Sequence, residues 1–101
     1  MKYFILEGEH LVPFEQRSPE LIARHRAFLQ EGYDRGHFLL SGPHIPPTGG
    51  ILIARAESLE ALKELLKDEP FAKAKVMHFK TIIEFNPVQH QPFLRGWFSG
   101  L

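Results

Sequence analysis

The sequence predicts an α+β fold: a ferredoxin-like β-α-β-β-α-β chain with a four-stranded antiparallel sheet and both helices on one face. Three observations lead there. Four short apolar segments read as strands, two capped segments read as helices, and the connections are too short to divide the chain. At 101 residues the chain is expected to form one domain, 1–101, with residues 87–101 as a tail packing on the domain or on a partner.

Residues 2–6 (KYFIL) are apolar and aromatic and read as the first strand. Residues 10–17 contain Pro13 and read as a loop. Ser18-Pro19-Glu20 places a capping hydroxyl, a proline at the first helical position and an acid in the first turn. That helix should run to about Arg35, with Gly36 closing it in a left-handed conformation. Residues 38–41 and 51–54 read as strands joined by a rigid connection, GPHIPPTGG. Ser58 caps a second helix from Leu59 to about Lys67, and a helical turn follows Pro70. Residues 76–85 form the last strand.

Lys and Arg number 12, as do Asp and Glu, so the net charge is zero. Nucleic-acid binding draws on excess basic charge, so no nucleic-acid partner is expected, and no polybasic membrane anchor. The absence of cysteine excludes disulfides, Cys-ligated zinc and thiol chemistry. No apolar run reaches the ~20 residues of a membrane helix, and Glu7 and Glu9 interrupt the layout of a secretory signal. A cytoplasmic protein is expected.

The strands do not alternate. Phe38, Leu39 and Leu40 are consecutive, as are Ile51, Leu52 and Ile53, and Tyr3 to Leu6. Successive side chains point to opposite faces, so both faces of the sheet are apolar while two helices cover only one. Either a second copy or the folded-back tail must cover the other; a homodimer is the simpler answer, with further assembly left open.

Leu21, Ile22, Phe28, Leu29 and Gly32 form the apolar stripe of the first helix, and His25 lies in its middle. An imidazole aimed at the sheet needs a partner. It is either a core histidine bonded to a carbonyl or acid, or a general acid/base in a pocket between helix and sheet. The best source of an acid is Asp68-Glu69-Pro70-Phe71, at the end of the second helix, unless these carboxylates are only a solvated helix end. The GPHIPPTGG loop is either a simple hairpin connection or a pocket rim in which Ser41, Gly42 and Pro43 meet a substrate and Ser41 or Thr48 offers a hydroxyl. Arg17, Arg24, Arg26 and Arg35 read as solvated charges, though Arg26 flanks the stripe and is counted as a substrate contact. His10, His37, His44, His78 and His90 form no close ligand pair, so no metal site is expected.

In order along the chain occur His25-Arg26-x-Phe28-Leu29, Gly32-Tyr33-x-x-Gly36-x-Phe38, Ser41-Gly42-Pro43, Thr48-Gly49-Gly50, Pro70-Phe71 and Ile82-Ile83-Glu84-Phe85-x-Pro87-Val88. This ordered set resembles the YciI-like, or YCII-related, family of small bacterial proteins. The resemblance implies a dimeric α+β barrel built from two ferredoxin-like protomers. It also implies an active site on a histidine and an aspartate. The histidine falls on His25. The aspartate falls on Glu69, because this chain reads Glu69-Pro70-Phe71, with Asp68 the alternative one residue earlier. Phe71 joins the substrate-binding set through the same motif.

The function expected is a small enzyme without a cofactor, moving a proton by a His–acid pair on a small cyclic or aromatic metabolite, isomerase- or lyase-like. The alternative is a non-catalytic small-molecule-binding or accessory dimeric module.

Overall fold

Two serines start the two main helices. Ser18 Oγ accepts from Leu21 N at 3.2 Å at the head of α1 (Pro19–Asp34). Ser58 Oγ accepts from Ala61 N at 3.0 Å at the head of α2 (Leu59–Leu66). Each satisfies a backbone donor the helix itself leaves open. Gly36, at φ 78°, turns the chain out of α1, and His37 N then bonds Gly32 O at 2.8 Å. A short α3 (Pro70–Lys73) follows α2.

The protein is described from a computed structural model, of which residues 1–98 are described. Its strands are β1 (Lys2–His10), β2 (Phe38–Pro43), β3 (Gly49–Ala56) and β4 (Met77–Phe85). They pair antiparallel in the order β2-β3-β1-β4, the ferredoxin-like arrangement expected. β1 is longer than its apolar residues alone suggest. Gly8 pairs with Gly50 and Glu9 with Gly49, so the ladder carries weak strand formers, and His10 ends the strand instead of lying in a loop.

Phe4 and Leu6 of β1, Phe38 of β2 and Leu52 and Ala54 of β3 face the helices and pack with Leu62 and Leu66 of α2. On β4 the register shifts between Glu7/Gly8, leaving Lys80 as an extra residue. This bulge lets Ile82 and Phe79, three apart, both reach the core. α1 lies close over β2 because Gly32 has no side chain; a Cβ there would sit 2.1 Å from the Phe38 ring.

Leu40, Ile53, Ile5 and Ile83 stand opposite one another in one row across all four strands on the face without helices. Leu40 and Ile83 are each 51% exposed. The tail reaches one end of this face: after Pro92–Leu94, the short α4 (Arg95–Phe98) brings the Phe98 carbonyl 2.6 Å from Tyr3 Oη. Trp97 Nε1 donates to Gly36 O at 3.0 Å, and Arg55 donates to the Trp97 carbonyl. Residues 99–101 of the expected tail lie outside the described residues.

The expected closure into a barrel is corrected by the topology. Among the described residues the sheet is open, with β2 and β4 as its edges. Four strands are about half of what a filled barrel takes, and β2 and β4 lie on opposite sides of the central pair. Among the described residues no helix is long and apolar enough to cross a membrane.

Candidate active site

A cavity of about 520 Å³ opens between α1, α3 and the β1/β3 end of the sheet. The sequence makes this space by leaving side chains out. Gly8 and Gly50, opposite each other on the helix-covered face, pave the floor where other strand residues would fill it, and Gly49 borders it. Gly49 has a further constraint, since a Cβ there would lie 1.9 Å from the Gly8 carbonyl oxygen. The remaining lining is mostly apolar, including Leu6, Leu29, Met77 and Phe79, and the size suits a small organic molecule.

His25 projects from α1 to the cavity wall, its side chain 23% exposed. Its Nδ1 lies 2.5 Å from Glu69 Oε1. Glu69 is almost wholly buried and caps α3, its other oxygen, Oε2, accepting from Ala72 N at 2.9 Å. One oxygen tied to the backbone fixes the direction of the other. A carboxylate only accepts, so against Glu69 in that form the donor is His25 Nδ1–H, and in the neutral ring with that tautomer Nε2 carries the lone pair. No protein group among the described residues bonds Nε2. The His25 ring also stacks on Phe71, with centroids 3.8 Å apart and planes within 7°.

This geometry selects Glu69 over Asp68 as the neighbour of His25. The Asp68 side chain is 70% exposed and lies 3.9 Å from Lys73 Nζ. Proline after Glu69 holds that residue extended (φ −64°, ψ 122°), which turns its carboxylate inward at the start of α3. Ser41, Gly42, Pro43, Phe71 and Arg26 all line the cavity. Ser41 Oγ lies 2.5 Å from Tyr33 Oη, and Arg26 is exposed. Thr48 lies elsewhere, beside His44 and Glu7 on the other side of the sheet.

Two residues of this region escaped the sequence reading. Arg17 is not a solvated charge: it is buried, donates to the Val76 carbonyl at 2.7 Å and lies over Phe71 at 4.4 Å. Phe71 is therefore sandwiched between the His25 ring and a guanidinium. Burial holds Arg17 below the usual guanidinium range, and the Glu69 charge opposes that. His10 is the second. Continuing the two-residue period of Phe4 and Leu6 through Gly8 puts His10 on the helix-covered face, and it lines the cavity. Burial first, then the Arg17 and His44 charges, push its imidazole below the ordinary histidine range, against the pull of Glu15. Among the described residues no group of three His, Cys, Asp or Glu side chains is placed to hold a metal ion.

The profile of the YCII-related domain matches residues 1–86. The chain belongs to the YCII-related family. No curated protein matches it. Among solved structures this YCII-related chain is similar to 5-chloro-2-hydroxyhydroquinone dehydrochlorinase (TftG) from Burkholderia phenoliruptrix AC1100, in complex with 2,5-dihydroxybenzoquinone. The two share 22% identity over 92% of this chain and 98% of that one, with a TM-score of 0.54. At that identity the likeness is one of fold.

Proposed function

We propose that this YCII-related protein is a small enzyme that moves a proton on a small cyclic or aromatic metabolite, isomerase- or lyase-like, with no step that calls for a cofactor. The carrying observation is the 2.5 Å contact of His25 Nδ1 with buried Glu69, on the wall of an apolar cavity. In this reading Nε2 takes a proton from the substrate and later returns it. Glu69 holds the ring tautomer and supplies a counter-charge to the imidazolium. Phe71 fixes the plane of the imidazole, and Ser41, Gly42, Pro43 and Arg26 contact the substrate. A positioned general base of this kind contributes about 10²–10⁴-fold. The dehydrochlorinase of similar fold is seen with a ring compound, and that class is carried to this chain as part of the proposal.

The protein is further proposed to work as a homodimer, with a second copy over the row of Leu40, Ile53, Ile5 and Ile83. An apolar row exposed at both ends favours burial against another surface.

The test is a thermal-shift screen of small ring compounds, followed by mass and NMR analysis of the recovered ligand. A ligand at ~100 times its Kd should add about 2.7 kcal/mol, well within view. Chemical change with the native chain and none with His25→Ala supports the enzyme. Unchanged recovery from the native chain would leave a binding module instead.

A further inference from the structure

His10 and His25 both line the cavity, and among the described residues an acid bonds the ring of His25 but not that of His10. Among the described residues the His10 imidazole makes no side-chain hydrogen bond; its ring lies along Phe14 with centroids 6.0 Å apart. Neither ring nitrogen is buried without a partner, so the polar edge of a ring that lines the cavity stays accessible. The titratable groups near it are Arg17, His44, His25 and Glu15.

We infer that His10 is a second catalytic residue, donating an imidazole N–H to the oxyanion that forms when His25 removes a proton from the carbon beside a carbonyl. The inference rests on the proton-transfer reading above and adds the substrate class: a small β,γ-unsaturated ketone with an apolar body. Burial first and the Arg17 charge next, against the pull of Glu15, lower the His10 pKa and favour the neutral ring. A neutral imidazole keeps one N–H donor and stabilises an oxyanion without giving its proton away. The balance is complete within the site. The C–H bond breaks and its proton goes to His25 Nε2. The C–H electron pair forms a carbon–carbon double bond, and the carbonyl π pair moves to oxygen, facing His10. Return of the proton to a conjugated carbon gives the isomer and restores both histidines.

The test uses 4-nitrophenolate as a stand-in for the enolate and 4-nitroanisole as its uncharged counterpart, both measured by equilibrium dialysis at a pH where absorbance shows the phenol ionised. The native chain should hold the phenolate at least about tenfold more tightly, a modest share of what one oxyanion donor supplies. His10→Phe, which keeps a ring beside Phe14, should erase that preference while leaving anisole affinity within about twofold, the scale of context effects at one contact. His10→Gln, which keeps an N–H, should retain part of it. A native chain without the preference overturns the inference, as does a preference that survives in both His10 variants. If the preference instead disappears only in His25→Gln, His25 holds the anion: the His10 assignment falls and the proton-transfer reading stands.

Discussion

Glu69 serves two elements with its two oxygens: Oε1 meets His25 Nδ1 at 2.5 Å and Oε2 accepts from Ala72 N at 2.9 Å. The same carboxylate therefore starts α3 and orients the imidazole on α1. Removing its charge and removing its cap are separable. Glu69→Gln keeps a carbonyl oxygen for Ala72 and presents an amide to His25, which favours the other ring tautomer. It should lower turnover by roughly 10³–10⁴-fold, as loss of the orienting acid does in a catalytic triad. Glu69→Ala removes the cap as well and should be less stable than Glu69→Gln by about 1 kcal/mol. Turnover and urea midpoints of the two variants check this. Equal stability would mean that the cap contributes nothing.

Gly32 sets the spacing between α1 and β2. A Cβ would stand 2.1 Å from Phe38, whose ring is buried in the core and cannot swing aside. Gly32→Ala gains helix propensity but must push the helix outward. The expected net loss is about 1–3 kcal/mol by denaturant unfolding. A stabilised variant would show that α1 moves freely over the sheet.

His10 makes stability depend on pH in a stated direction. Its folded pKa lies below the unfolded value of 6.5, with burial the largest cause and Arg17 next. The unfolded chain therefore binds more protons in the window below 6.5, and stability falls as pH drops from there through the folded pKa. His10→Gln removes this contribution. Melting curves should show the native chain losing more stability than the variant between neutral and mildly acidic pH. Parallel losses would mean that the ring is solvated as in the unfolded chain.

Much of this was legible from local chemistry. Ser18-Pro19-Glu20 and Ser58 announced the helices, and the consecutive apolar residues at 51–53 announced a sheet with two greasy faces. His25 in the stripe of α1 called for an acid, and the Asp68-Glu69-Pro70 corner offered two without deciding between them. What was not legible came from pairing across the sheet. Gly8 and Glu9 look like strand breakers until Gly50 and Gly49 stand opposite them, so local sequence alone ends β1 short of His10. Arg17 looked exposed because only the fold brings Phe71 and the Val76 carbonyl to it. Barrel closure came from family resemblance, and the open sheet with β2 and β4 at its edges does not show it.

The proposed homodimer rests on the face that carries Ile5 and Ile53 directly opposite each other. Sedimentation of the native chain should give a mass of twice the 11.6 kDa of one copy. Ile53→Lys places a charge in the middle of the row and should yield the monomer with its helices intact by circular dichroism. A native monomer at high concentration would remove the proposed homodimer.

Proton transfer by His25 is tested most directly by deuterium uptake from D2O into a carbon position of a bound ring ketone or phenol, followed by NMR. The native chain should label the ligand above the buffer rate, Glu69→Gln far more slowly, and His25→Ala at the buffer rate. Labelling by His25→Ala at the native rate would contradict the account, because the proton would then be moving without the imidazole that Glu69 holds in place.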